Sequence, residues 1–396
     1  MVVRKIRYYI FLRDVGILSI TAFGGPQAHL AMFLEMMVKK RNYLSESELI
    51  ELNALCQILP GPTSTQTLTA IGFRIGGPSL AYLTLLVWIT PAVLIMTMTG
   101  VLFNYLQDSG ADFNFTKYIM PMAVGIVSVA AYRISMKVVN STLGMVIMMI
   151  SAVISFFVKT PFIFPLILFF AGMATTINYQ KQPVKEKTKM QINWSNFLLW
   201  GGVFIFSAIL GGVTKSIPEL LPIRLFENFY RNGSLIFGGG QVLIPMLNTE
   251  FVEFKHYLTG QEFLSGFSLV QSLPGPVFSF SAFIGALSMR HLGVSGEIIG
   301  GIVSAIGLFL PGTFLIFFVI RFWDSLKKYR IVRASLEGIN AASAGMVAAA
   351  AILLFQPLPN NIITYAITFG TFCLLIFTKI PTPLLILGGL VAGFLF

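Results

Sequence analysis

The stretch "AFGGPQAHL", residues 22–30, and its echo "IFGGGQVLI", residues 236–244, decide how this chain is read. Each writes glycines and a glutamine into apolar sequence where helical hydrogen bonding would otherwise run on. Glycine weakens a helix and proline removes a donor, so both leave backbone groups free. In hydrocarbon a free N–H or C=O costs on the order of several kcal/mol, and such breaks survive at membrane depth only where they face protein or an aqueous cavity.

The surroundings are membrane-like. Of 396 residues, 56% are hydrophobic and 11% charged, and the mean hydropathy is +0.81. A soluble surface needs more charge. Several runs reach the roughly 20 residues that cross a bilayer. They are continuous rather than alternating, which favours a polytopic all-α membrane protein over a β-barrel. The N-terminal "MVVRKIRYYIFLRD" is basic, but no small-residue cleavage site follows it, so the first helix is expected to act as an uncleaved signal with its N-terminus cytoplasmic. The net charge of +11 is read as Lys and Arg on cytoplasmic loops facing anionic lipid, not as a nucleic-acid surface. Cys56 and Cys373 are expected to be free thiols, with no metal-like spacing.

The sequence repeats. A shift of 214 residues places Phe23, Gly24, Gly25 and Gln27 on Phe237, Gly238, Gly239 and Gln241, and Pro60, Gly61 and Pro62 on Pro274, Gly275 and Pro276. It also aligns Leu44, Glu48 and Gln57 with Leu258, Glu262 and Gln271. A shift of 220 places Pro91 on Pro311, Lys159 on Lys379 and Pro161 on Pro381. The chain therefore divides into a first repeat at 1–178, a basic linker with a connecting transmembrane helix at 179–213, and a second repeat at 214–396. The first copy has six apolar segments near 13–37, 48–73, 78–105, 118–138, 142–158 and 162–178. The second has them near 229–250, 262–288, 296–320, 334–355, 361–378 and 381–396. With the connector this makes about 13 hydrophobic segments. The last two of each copy are short and read either as a thin crossing pair or as a re-entrant hairpin.

Six crossings plus one connector would insert the second copy upside down. Loop charges agree, since Lys and Arg accumulate on the cytoplasmic side. The loop after segment three carries Asp108, Asp112 and Lys117, whereas its partner carries Arg321, Lys327, Lys328, Arg330 and Arg333 against Asp324. Arg133 and Lys137 follow segment four, while the partner loop "QPLPNN" is uncharged. Lys39, Lys40 and Arg41 are out of place in this scheme, falling outside beside Glu35, Glu46 and Glu48.

Four breaks result: "FGGPQ", "LPGPTSTQ", "FGGGQ" and "LPGPVFSFS". After each Pro-Gly-Pro a helix can restart with proline in its first turn. Restarted helices point N–H groups and positive dipole ends at an anion near the midplane, as in inverted-repeat transporters. The side chains of Gln27, Gln241, Ser64, Thr65 and Ser279 would add to that site, and the four breaks are expected to converge there.

"FGGPQAHLAMF" and "QILPGPTSTQ", with "FGGGQVLIPML" and "QSLPGPVFSFS", resemble the long, two-domain form of the chromate ion transporter family over nearly the whole chain. The resemblance implies chromate efflux, with sulfate as the structural analogue. It carries over Phe23, Gly24, Gly25, Pro26, Gln27, His29, Pro60, Gly61 and Pro62, and in copy two Phe237, Gly238, Gly239, Gly240, Gln241, Pro274, Gly275 and Pro276.

Other polar residues are candidates by position. His29 has Leu243 as its counterpart and could carry a coupling proton, or simply be a hydrogen-bonded structural histidine. Arg74 and Arg290 could meet an oxyanion or snorkel to head groups. Gln57 and Gln271 could line the cavity or bond freed backbone. Glu35 and Glu250 are near matches in the repeat that could be proton sites, with solvation at loop edges the favoured reading. No metal cluster, cofactor motif or phosphate loop is written, and a homodimer stays open. The sequence thus reads as a secondary oxyanion transporter of a plasma membrane, not an enzyme. Its rivals are a passive anion channel on the same fold, a membrane-embedded enzyme and a scaffold.

Overall fold

The computed structural model describes residues 2–109, 117–138, 141–160, 162–177, 194–214, 217–237, 240–322 and 330–395, and for some of these, Gln27, Lys137 and Gln241 included, the backbone alone. The described residues form helices and connections, with no strand among them. Five described helices are long and apolar enough to cross a bilayer: Thr63–Asp108, Ile119–Met136, Ser195–Val213, Arg290–Val319 and Ala334–Phe355. The chain is an all-α polytopic membrane protein with two compact units.

The first unit takes Met1–Gly110, Asn193–Ser234 and Val270–Arg321. Helix α1 (Val2–Thr21) ends at the first break, and α2 (Gly25–Phe33) continues into a π-helix at Leu34–Lys40. Helix α3 (Glu46–Ile58) opens with a capping box, in which Ser45 and Glu48 satisfy each other's backbone N–H. Helix α4 (Thr63–Asp108) has 46 residues. A straight helix of that length would reach about 69 Å, over twice the roughly 30 Å hydrocarbon core. Gly77, at φ +74° and ψ −165°, breaks it in two. The segment read as 48–73 is two half-helices around the expected break at Pro60–Pro62, and Gly77 separates it from the segment read as 78–105.

Asp14 of α1 is buried, and Arg41 holds it with Nε 2.8 Å from Oδ2 and Nη2 3.0 Å from Oδ1, while the Tyr43 hydroxyl donates to Oδ2 at 2.9 Å. The out-of-place charge of Arg41 is thus bound to an internal carboxylate. Later in the chain come α8 (Ser195–Val213), α9 (Leu221–Leu235), α12 (Phe280–Ser288) and α13 (Gly293–Val319). In this unit α1, α3, α12 and α13 pack on α4, and α8 packs on α13.

The second unit takes Ala111–Ile192, Leu235–Leu269 and Phe322–Phe396. It holds α5 (Ile119–Val138), α6 (Thr142–Phe157), α7 (Ile163–Thr176), α10 (Gly240–Leu247), a π-helix at Asn248–Phe254 and most of α11 (Gly260–Ser272). It closes with α14 (Arg330–Phe355), α15 (Ile362–Phe377) and α16 (Thr382–Leu395). Helix α14 is its centre, packed by α5, α6, α7 and α10, while α15 and α16 lie on α5. A Cβ at Gly338 or Gly345 would collide with the backbone of α7 or α6, so small residues set these close approaches.

Local structures recur at the spacings of the sequence repeat. The π-helices begin at Leu34 and Asn248, 214 apart. A second reciprocal cap joins Thr259 to Glu262, 214 after Ser45 and Glu48. Ser141 and Asn361, 220 apart, each cap a helix through the side chain.

Candidate functional site

Three of the four sequence breaks fall in the first unit, and its hydrogen bonds connect them. The chemistry starts with Pro26. In a continuous helix the carbonyl of Ala22 would accept from residue 26, but proline has no N–H to give. Gly24 and Gly25 take positive φ, +91° and +76°, and turn the chain into α2. The orphaned Ala22 oxygen accepts instead from the Gly275 N–H at 2.8 Å and lies 3.2 Å from His29 Nε2. A carbonyl only accepts, so the neutral imidazole carries its proton on Nε2 and its Nδ1 accepts from the Ser64 hydroxyl at 3.1 Å. One relay thus runs from the second Pro-Gly-Pro, through the first break, to the first turn of α4.

His29 is 1% exposed. Trp88 stands edge-on to it with ring centroids 5.3 Å apart, and its indole Nε1–H donates to Thr65 Oγ1 at 3.1 Å. Phe33 packs on Trp88 from α2. The Thr65 hydroxyl proton has no acceptor among the described residues, so a donor is left in the first turn of α4. Every residue from Leu59 to Gly72 is buried.

The two Pro-Gly-Pro turns are packed reciprocally. Gly61 has φ +118° and Gly275 φ +96°, a region that penalises any Cβ. A Cβ on Gly61 would lie 3.3 Å from Gly312 Cα, just after Pro311 of α13. A Cβ on Gly275 would lie 3.1 Å from Ala92 Cβ, just after Pro91 of α4. Each turn thus rests beside the mid-helix proline of the other copy. The first is clamped further by Gln66, whose Nε2 donates to Pro60 O at 2.7 Å and Gly312 O at 3.2 Å, leaving its Oε1 buried without a partner among the described residues.

The other candidates spread more widely. Ser279 is buried and turns its hydroxyl back to Pro276 O at 2.8 Å, capping its own turn after Pro274–Pro276. Arg74 donates to Glu48 Oε1 at 2.8 Å in a partly exposed pair, at the edge of the unit. Arg290 lies in the short turn before α13. Gln57 is exposed on α3, and Gln271 is half-buried near the end of α11. Gly240 and Gln241 open α10 in the second unit, while Gly238 and Gly239 lie outside the described residues. Trp88, Gln66, Ala92 and Gly312 were not singled out from sequence. Gln66 carries a signal, as the polar residue that ends the break LPGPTSTQ, and Trp88 a weaker one, an indole N–H in an apolar run, whereas Ala92 and Gly312 carry none beyond following a proline. Two cavities of about 320 Å³ lie elsewhere, one lined by Val203, Phe206, Phe226 and Val303, the other by Phe355, Tyr365 and Phe372.

The sequence model of a family described as chromate transporter matches residues 11–176 and again 223–394. The chain is 26% identical, over 96% of its length and 92% of the relative's, to an uncharacterized transporter of Methanocaldococcus jannaschii. It is 26% identical to a probable chromate transport protein of Synechococcus elongatus, covering 98% of this chain and 94% of that one. It is 24% identical to a chromate transport protein of Cupriavidus metallidurans, covering 98% and 91%. No solved structure matches.

Proposed function

Because the chain belongs to the chromate transporter family, we propose that it is a secondary transporter exporting a tetrahedral dianion of the chromate and sulfate class, through a site built on its broken helices. The relay from Gly275 N–H through Ala22 O and His29 to Ser64 carries this reading, because it gathers three interrupted helices at one point. A dianion stripped of water needs directed donors and positive potential. Helix restarts supply both without a buried fixed cation. The Thr65 hydroxyl and the first-turn N–H groups of α2 and α4 are those donors. Because Leu59–Gly72 is fully covered, the anion reaches them when the unit opens.

His29 carries the coupling proton in this scheme. Protonation would make both ring nitrogens donors, so Ser64 would accept from Nδ1 and turn its own proton toward the anion. Anion and proton would then favour one another's binding and leave together, so that export draws on the inside-negative membrane potential acting on the net negative charge of the pair rather than on the proton gradient. The two copies insert with opposite topology, the N-terminus cytoplasmic. Relatives named as chromate transport proteins support the substrate class.

The test uses purified protein. Chromate, sulfate, molybdate and phosphate are compared for thermal stabilisation, where a ligand at about 100 times its Kd adds roughly 2.7 kcal/mol. Stabilisation by chromate or sulfate is expected, and none by any of the four overturns the anion site. In liposomes, concentrative flux that collapses with an uncoupler separates a coupled transporter from a channel.

A further inference from the structure

Helix α13 carries a carboxyl group that the oxyanion site does not use. Glu297 sits one turn into that helix and is 1% exposed. Its Oε1 accepts from Asn104 Nδ2, on the last turns of α4, at 2.7 Å. Its Oε2 is buried and has no hydrogen-bond partner among the described residues. No described cation lies within ion-pair distance of it. The charged groups facing it are Asp108 from α4, and Arg290 from the turn before α13. Asn104 Nδ2 is also 3.5 Å from Asp108 Oδ2, so one amide stands between two carboxyls. Helices α12 and α8, which also pack on α13, offer no charge: their sequences are FSAFIGALS and SNFLLWGGVFIFSAILGGV.

An ionised carboxylate in this setting would lack a donor on one oxygen and sit near a second negative charge, opposed among the described residues only by Arg290, which stands beyond ion-pair distance. A neutral acid removes the charge repulsion, accepting from Asn104 through one oxygen and holding a proton on the other, at the smaller cost of an O–H without a described acceptor. We propose that Glu297 is a proton-binding site that latches α13 to α4. With the proton bound, the Asn104–Glu297 contact closes the ends of the two helices. When it leaves, the carboxylate draws in water and repels Asp108, and the ends separate. Helices α4 and α13 also carry the prolines on which the Pro-Gly-Pro turns rest, at Ala92 and Gly312. Opening the latch therefore loosens the frame of those turns. The assignment is separate from the oxyanion reading and from His29, and its test uses no anion.

Infrared spectra of the full chain in liposomes are expected to show the C=O stretch of a neutral carboxylic acid at neutral pH. That band should be lost in Glu297→Gln. Asn104→Leu should shift it to higher frequency without removing it, because the acid keeps its proton but loses its donor. If Glu297→Gln fails to fold, protein with 13C-carboxyl glutamate settles the point: Glu297→Asp should remove the labelled band, and a labelled band that persists overturns the proposal. As pH rises the band should titrate away. Over the same range amide exchange in residues 293–303, corrected for base catalysis, should accelerate by about tenfold per pH unit, the dependence of a single proton. Absence of the band at neutral pH, or its survival in Glu297→Gln, shows that Glu297 holds no proton. Equal acceleration in Glu297→Gln shows that it is no latch.

Discussion

Gly61→Ala tests whether the first Pro-Gly-Pro turn is shaped by its own backbone or by what is packed on it. Two costs can be separated. The first is conformational: Gly61 has φ +118°, and forcing an L-residue into sparsely allowed φ/ψ space costs about 1–3 kcal/mol. The second is contact. The new Cβ would lie 2.9 Å from Gln66 Nε2 and 3.3 Å from Gly312 Cα. The backbone of α13 cannot yield easily, so Gln66 must move. It then stops donating to Pro60 O and Gly312 O, and buried carbonyls without donors cost about 1–3 kcal/mol. Gly77→Ala is an internal control, since Gly77 has φ +74° and nothing within 4 Å of its Cβ position. It measures strain alone. In reversible unfolding in mixed micelles, Gly61→Ala is expected to cost about 2 kcal/mol more than Gly77→Ala. In a Gln66→Ala background that excess should vanish, a coupling of roughly the same size. If the two alanines cost the same, or if the excess persists without Gln66, the clamp is not what shapes this turn. Under the proposed function, Gly61→Ala also loses anion affinity, while Gly77→Ala keeps it.

Trp88→Phe keeps the ring beside His29 but removes the bond to Thr65, and should cost about 1 kcal/mol in the same assay, with a larger effect arguing for a packing role. Asp14→Asn leaves Arg41 without its buried counter-charge and should cost roughly 2–4 kcal/mol, reduced from a fully buried pair because Arg41 is 36% exposed, with stability against salt as a check. Arg74→Gln removes a partly exposed pair, so stability should change by less than about 1 kcal/mol and anion affinity not at all; a large affinity loss would return Arg74 to the site. His29→Ala should abolish the pH dependence of uptake while the protein remains folded and binds anion, and unchanged pH dependence removes His29 from coupling. With both native cysteines replaced, Asn360→Cys should label from outside and Lys137→Cys only from inside; equal labelling would refute the inverted topology.

Local chemistry made part of this legible. The membrane class follows from composition, and the breaks follow from glycine and proline, whose effect on hydrogen bonding belongs to the residue itself. Pro26 guarantees that Ala22 lacks a helical donor wherever the chain goes. The duplicated sequence likewise placed π-helices, caps and left-handed glycines at matching positions. What the sequence could not say is who fills each vacancy. The donor to Ala22 O is Gly275, from the other copy, and Gly61 meets Gly312 across a similar separation. Gln66 and Trp88 bring hydrogen-bonding groups into apolar sequence, but only packing chose Pro60 O, Gly312 O and Thr65 as their partners. Arg74 could meet an oxyanion or snorkel as far as its sequence position goes, and only Glu48 across the turn decided that it pairs locally. Glu297 and Asn104 are 193 residues apart, each unremarkable alone. Periodicity and residue chemistry fix where a backbone must leave its helix, because those effects act within a few residues. Which distant group satisfies it depends on how helices cross, and that is decided only when the chain packs.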